Sequence, residues 1–292
     1  MVWDAMKITL RDIWLALLAA FLWGATFPVS AWALAETPPI FFTMLRFICA
    51  AVFVFFVPRP KVPWPVLIAV GLLFGLGQYG LMFIAMSRGL PAGLASVLIH
   101  SQAFFTILLA VILFSEGLGL RQVLAMVLAA AGFAVLIAHN ADAGSLSGLF
   151  LMLAAAVCAA LGNLVLKSLG GADMLGVAVW MSLALPLPLL ALSCFLETGG
   201  SIGILFASVS WRVIAAAIYS GVLATVFAYS IWGRLFATYS AATVAPFFLL
   251  VPVFGIGLSV TLLGERLSPT QMLGAGLIFA GLVLTVRRTA VR

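Results

Sequence analysis

Ten apolar runs of 19 to 24 residues follow one another along the chain, at 13–34, 38–57, 64–87, 92–114, 118–138, 147–167, 173–194, 211–232, 240–263 and 268–286, parted by short segments where charge, Pro or Gly gathers. A helix rises about 1.5 Å per residue, so about 20 residues cover the hydrocarbon core of a bilayer, about 30 Å thick. Inside hydrocarbon every backbone N–H and C=O must find its partner within the segment, which makes helix the form such runs take. Fewer than 80 of the 292 residues remain for nine connections and two tails, too few for a soluble domain. Composition agrees, since 14 basic and 8 acidic residues against 65% apolar ones cannot cover a water-soluble surface. The expected fold class is an all-α integral membrane protein with ten transmembrane helices. The leading MVWDAMKITLRD enters the first run without a small-residue cleavage site, and so reads as the approach to a spanning helix and not as a removable signal.

Lys and Arg are retained on the cytoplasmic side of membranes. With the N-terminus inside, cytoplasmic segments hold Lys7, Arg11, Arg59, Lys61, Arg121, Lys167, Arg234, Arg287, Arg288 and Arg292, and the far side holds Arg88, Arg212 and Arg266, a ratio of 10 to 3. Both termini are expected in the cytoplasm. The net charge of +6 and pI near 9.7 are then accounted for by topology and anionic lipid, without a nucleic-acid partner. Cys49, Cys158 and Cys194 lie singly in apolar runs and His100 and His139 are far apart, so neither a disulfide framework nor a metal site is expected, and no cofactor.

Shifting the sequence by 149 residues lays 92–138 on 241–287 and pairs Ala92 with Ala241, Phe105 with Phe254, Glu116 with Glu265, Leu118 with Leu267, Gln122 with Gln271 and Gly132 with Gly281. The same shift sets Gly71 on Ser220 and Gly75 on Ala224, giving the third and eighth runs a shared small-residue face. The chain therefore divides into two five-helix halves, 1–138 and 139–292. Five is odd, so the second half enters from the opposite side and the halves are related as inverted repeats, an arrangement suited to alternating access around a central cavity.

FLWGATFPVS in the first run, TMLRFICAA in the second, FFTILLAVILFSEGL before the fifth and LLGERLSPTQMLGAGLIFAGL into the tenth resemble the paired EamA domains of the drug/metabolite transporter superfamily. Within it the chain is most similar to the YddG-type amino-acid exporters. The resemblance covers essentially the whole chain and implies a carrier of the bacterial inner (plasma) membrane, acting as a monomer. The superfamily also carries drugs, nucleotide sugars and sugar phosphates, so membership alone does not choose the cargo.

Polar groups near mid-run are the candidates for a substrate cavity: Trp23, Gln78, Tyr79, His100, Ser101, Gln102, Asn163 and Tyr229 above all, with Thr26, Tyr219, Thr225 and Thr243 beside them. Each could instead serve as a hydrogen bond between helices. On an α-helix His100 and Gln102 are about 200° apart, so both border one cavity only if Ser101 faces its centre. Arg46 lies deep in the second run, where an unpaired cation costs at least about 2.5 kcal/mol, and it requires either an anionic substrate group or carbonyls and a loop acid such as Glu36. Glu116 and Glu265 are expected to stabilise helix ends, the latter before Ser268-Pro-Thr-Gln271, which has capping-box spacing. Pro28, Pro246, Pro252 and the glycines at 71, 75, 77 and 80 are hinge or kink candidates, and the small residues of the fifth and tenth runs a packing seam.

The leading function is export of small zwitterionic metabolites, most of all amino acids. A proton-coupled exporter of drugs or cationic metabolites is the alternative, and it calls for a carboxylate at mid-depth; the eight acids, Asp4, Asp12, Glu36, Glu116, Asp142, Asp173, Glu197 and Glu265, all fall at run ends or beyond. Phosphate cargo calls for several buried cations. Catalysis in the membrane is not expected, because His100 and Ser101 diverge on a helix and no acid is placed to orient the imidazole. A membrane scaffold remains compatible with the repeat.

Overall fold

Apolar runs of this length leave the backbone no partner but itself, and the chain responds with helix. The computed structural model describes residues 8–114, 117–143, 146–169 and 173–286, among which there is no strand. In order come α1 (Leu10–Leu34), α2 (Pro39–Phe55), α3 (Trp64–Ser87), α4 (Ala92–Leu113), α5 (Leu120–Ala143), α6 (Leu146–Ser168), α7 (Met174–Ser182 and Pro186–Thr198), α8 (Trp211–Thr238), α9 (Ala241–Phe248 and Leu250–Leu263) and α10 (Pro269–Val286). Eight of these are long and apolar enough to cross a membrane; α7 is a pair of helices bent by 49°, and α2 is shorter.

Three helices run four or more residues past their expected ends, α5 among them, from 138 to Ala143. Helix α8 runs on past 232 to Thr238, since the single Gly233 that follows Trp232 is not enough to stop it. Helix α7 also extends, to Thr198, but bends before Pro186, which has no N–H to give and crowds the preceding turn. The bend is filled by tighter bonds, from Leu183 N–H to Trp180 C=O and from Ala184 N–H to Met181 C=O. A short helix, Ile202–Ala207, was not foreseen and packs its Leu205 inward.

With no water to expel, helices in lipid are held by close packing, which small residues permit. Helix α1 lies against α8 and α9, while α6 lies against α3 and α4; α2 packs on α7 and α8, and α5 on α10. The last pair is the seam expected from sequence. A Cβ added at Gly132 would sit 2.6 Å from the Gly274 carbonyl oxygen, and one at Gly281 2.6 Å from that of Ala125.

Besides the bend in α7 and the 3₁₀ end of α2 at Val52–Phe55, four places depart from α geometry. Nine-residue π segments occupy Leu72–Gly80 of α3 and Tyr219–Phe227 of α8. A 3₁₀ turn at Ile99–Ser101 interrupts α4, and α9 breaks at Leu249, three residues after Pro246. Adding 149 to 99–101 gives 248–250, which brackets the α9 break. The same sum carries 72–80 to 221–229, two residues from the second π segment. Such segments are uncommon inside helices and concentrate at functional sites.

Gly132→Ala should destabilise the detergent-solubilised protein by about 1–3 kcal/mol through backbone overpacking. Gly276→Ala, on the same helix as Gly274 but with nothing within 4 Å of the added carbon, should leave thermal unfolding unchanged.

Candidate functional site

Six helices, α1, α3, α4, α6, α8 and α9, enclose a cavity of about 580 Å³, with α7 and α10 completing its wall. The lining runs from Phe27, Met82, Ile99 and Val251 near mid-depth to Leu166, Met174, Phe236 and Val286 at one end of the bundle. Among the described residues that line it there is no Asp, Glu, Lys or Arg.

Trp23, Gln78, Tyr79, His100, Gln102, Asn163 and Tyr229 all border this cavity, and Thr26 with them. Ser101 does not. It is fully buried and donates to the Leu98 carbonyl at 2.6 Å, on the side away from the cavity. The condition that Ser101 face the centre is thus corrected: in the 3₁₀ turn each residue advances about 120°, so His100 and Gln102 come to lie about 120° apart across the face opposite Ser101. Tyr219 and Thr225 are also off the wall, their hydroxyls bonded to the Leu22 and Ser220 carbonyls at 2.8 and 2.9 Å, and Thr243 pairs with Ser240 at 3.0 Å.

The polar groups on the wall join helices far apart in the chain. Asn163 of α6 donates to the Gln102 side-chain oxygen of α4 at 3.1 Å, and the Trp23 indole donates to the Ala224 carbonyl, inside the α8 π segment, at 2.7 Å. His100 Nδ1 lies 2.7 Å from the Ser96 carbonyl. A carbonyl only accepts, so in the neutral ring Nδ1 carries the proton and Nε2 a lone pair; Nε2 is buried without a partner.

Sequence reasoning missed the aromatic box around Trp23. Its ring meets Tyr229, Trp232 and Phe248 edge-on with centroids at 5.4, 5.2 and 5.4 Å, and His100 lies 5.0 Å from Phe248. Trp232 was recoverable, because Tyr229, Trp232 and Phe236 recur at helical spacing on one face. Phe248 has no such signal, since it is delivered by the break at Leu249.

Arg46 is 1% exposed and stands behind this wall. Its Nη2 donates to the Thr225 hydroxyl at 2.9 Å and the Ser220 carbonyl at 3.3 Å, and its guanidinium carbon lies 3.6 Å from the Tyr79 ring centroid. Carbonyl satisfaction is therefore partial, and Glu36 is not the partner. That carboxylate accepts instead from Ser210 and from Arg212, the latter at 3.0 Å.

The end of the bundle that the cavity does not reach is tied between helices distant in sequence. Besides Glu36, Glu197 of α7 accepts from Ile40 and Phe41 N–H of α2 at 2.7 and 3.2 Å, and Glu265 accepts from Ala92 and Gly93 N–H of α4 at 2.6 and 2.9 Å. Thr37 bonds Ser208 at 2.8 Å and His139 bonds Ser268 at 3.2 Å. Glu265 does stabilise a helix end, but that of α4 and not of α10, whose own start is closed by the expected reciprocal bonds between Ser268 and Gln271. Glu116 lies outside the described residues, as do Lys7 and the arginines at 287, 288 and 292. At the other end Asp12 takes the Tyr239 hydroxyl at 2.7 Å and Arg234 at 3.3 Å.

A helical bundle with one charge-free cavity reaching one end is the architecture of a membrane transporter. The chain belongs to the EamA-like transporter family, which matches it twice, over residues 10–138 and 146–287, and it is a transporter and not an enzyme. It is 39% identical to a probable amino-acid metabolite efflux pump of Salmonella typhimurium, across 96% of this chain and 98% of that one. A protein of the same description in Escherichia coli is 36% identical, with 94% and 95% covered. A probable terminal-alkyne amino-acid exporter of Streptantibioticus cattleyicolor is 26% identical, with 97% and 96% covered. One solved crystal structure shares the fold with a TM-score of 0.60 at 19% identity, covering 94% of this chain and 96% of its own.

The Ser210 hydroxyl, and then Arg212, hold the Glu36 carboxyl below the usual carboxylate range. A carboxyl lowered in the folded state contributes stability that is complete above its unfolded value, near 4.3, and is lost as pH falls through the folded one. Thermal unfolding from pH 7 to pH 3 should therefore find Glu36→Gln less stable than wild type at neutral pH, and the gap should close in the acid range.

Proposed function

We propose that the chain is a carrier exporting small zwitterionic metabolites, amino acids foremost, by alternating access through this cavity. The observation that carries the reading is the lining itself: neutral, aromatic, with an imidazole and an amide pair. A volume of about 580 Å³ is of the size that takes small molecules. An ammonium group finds the faces of Trp23, Tyr229 and Trp232, worth about 0.5–2 kcal/mol each, and an N–H donor finds His100 Nε2. The names of the relatives from Salmonella, Escherichia and Streptantibioticus point to the same cargo. Trp23, Gln78, Tyr79, His100, Gln102, Asn163 and Tyr229 contact substrate in this reading, and Ser101 holds the turn that presents two of them.

In the same proposal the chain forms ten spans in two inverted halves, 1–138 and 139–292. The bent α7 counts as one span. So does α2, whose 13 α-helical and 4 3₁₀ residues cover about 27 Å at about 1.5 and 2.0 Å per residue. Support for the halves comes from the two family matches, from departures from α geometry at positions related by the 149-residue shift, and from the reciprocal packing of α1 on α8 and α9 and of α6 on α3 and α4. With both termini in the cytoplasm of a bacterial inner membrane, the cavity faces inward and the tied end faces out. An impermeant thiol reagent on intact cells should then label a cysteine at Ser201 and spare one at Lys61.

Proteoliposomes holding the purified protein should show flux of amino acids down their gradient, or exchange of one for another, without an imposed pH gradient. Alanine at His100 or Asn163 should change which amino acids are carried while the protein still folds. Accumulation above equilibrium that requires the pH gradient and vanishes in His100→Ala would move the protein to the proton-coupled drug exporters.

A further inference from the structure

Arg46 is a buried cation without an anion. Both acceptors of its Nη2, the Ser220 carbonyl and the Thr225 hydroxyl, are neutral, and Nε and Nη1 have no partner at all. The Ser220 hydroxyl beside them is buried and unpartnered as well. The described carboxylates are committed elsewhere: Asp12 to Thr9 and Tyr239, Glu36 to Ser210 and Arg212, Asp173 to the start of α7, and Glu197 and Glu265 to the starts of α2 and α4. A guanidinium in a low-dielectric interior with free donors binds whatever anion can reach it.

One side chain separates it from the cavity. Tyr79 borders the cavity and is stacked 3.6 Å from the guanidinium carbon, with Phe47 and Phe83 farther off at 5.2 and 5.9 Å. Tyr79 belongs to the π segment Leu72–Gly80, between Gly77 and Gly80, and the acceptors of Arg46 belong to the other π segment, Tyr219–Phe227. A π turn holds one residue more than an α turn, and releasing it rotates the following residues by about 100°. That rotation would carry the Tyr79 ring off Arg46. With no second cation beside it, the position suits a singly charged carboxylate and not a phosphate.

We propose that Arg46 is a covered subsite for the substrate carboxylate, opened to the cavity when Tyr79 turns aside. This rests on the amino-acid reading above and deepens it: the aromatic box holds the ammonium and side chain, and Arg46 selects the group common to all amino acids. The purified protein, followed by fluorescence of its cavity tryptophans, is titrated with leucine, with leucinamide, which lacks the carboxylate, and with 4-methylpentanoate, which lacks the ammonium. Leucine should bind at least about tenfold more tightly than leucinamide, the scale of one charge-assisted hydrogen bond. Arg46→Gln should erase that difference and weaken 4-methylpentanoate equally, and Arg46→Lys should restore part of both. Equal binding of leucine and leucinamide by wild type overturns the proposal, and so does a folded Arg46→Gln that keeps the difference. If Arg46→Gln does not fold, the wild-type ratio and the Lys variant decide. Arg46-dependent binding of 4-methylpentanoate in a protein that carries no amino acid would leave the subsite standing and remove the export reading. Amino-acid flux with no preference over the amide would do the reverse.

Discussion

Hydrocarbon offers a polar group nothing, so each one in this bundle must be matched by another part of the chain or stand against a space that water or a ligand can enter. Most are matched in ways that leave no freedom: Ser and Thr hydroxyls turn back onto carbonyls of their own helices, and Trp23, Tyr219 and Trp180 reach carbonyls of neighbours. Among the described residues the exceptions are the hydroxyls of Ser30, Ser220 and Ser259, His100 Nε2, and Nε and Nη1 of Arg46; of these residues His100 borders the cavity, and Arg46 stacks on Tyr79, which borders it too. The same rule that forces the helices therefore also marks where they are incomplete.

Much of this was legible in the sequence. Apolar run length located the helices, because nothing but helix satisfies a backbone in lipid, and mid-run polarity pointed to seven residues that border the cavity, although Tyr219, Thr225 and Thr243, also polar at mid-run, spend their hydroxyls on hydrogen bonds elsewhere. What stayed hidden depends on backbone geometry that residue types do not announce. Ser101 was misassigned because a 3₁₀ turn replaced the α register, and Phe248 was overlooked because its place follows from a break one residue later. The partner of Glu265 was equally invisible, for it lies 173 positions away and is main chain.

The non-α segments and the glycine contacts divide the bundle by stiffness. Helices α5 and α10 touch backbone to backbone, where any sliding meets a carbonyl within 3 Å of where a side chain would begin. Helices α3, α4, α8 and α9, which carry the π segments, the 3₁₀ turn and the break, all border the cavity. Local openings require the weaker hydrogen bonding that such segments supply, so the deformable parts of the chain are those that face the cavity.

The carboxylates of Glu197 and Glu265 hold main-chain N–H groups and not side chains. Those donors are supplied by any residue except proline, so the bonds themselves do not fix the side chains at positions 40, 41, 92 and 93; packing does, for all four are buried and a Cβ at Gly93 would lie 3.2 Å from Glu265 Oε2. The carboxylate side is constrained by charge instead: a single base change that removes either glutamate leaves two main-chain donors without their acceptor. Each junction is thus held by shape on its main-chain side and by a single negative charge on the other, so inheritance guards the two sides by different rules.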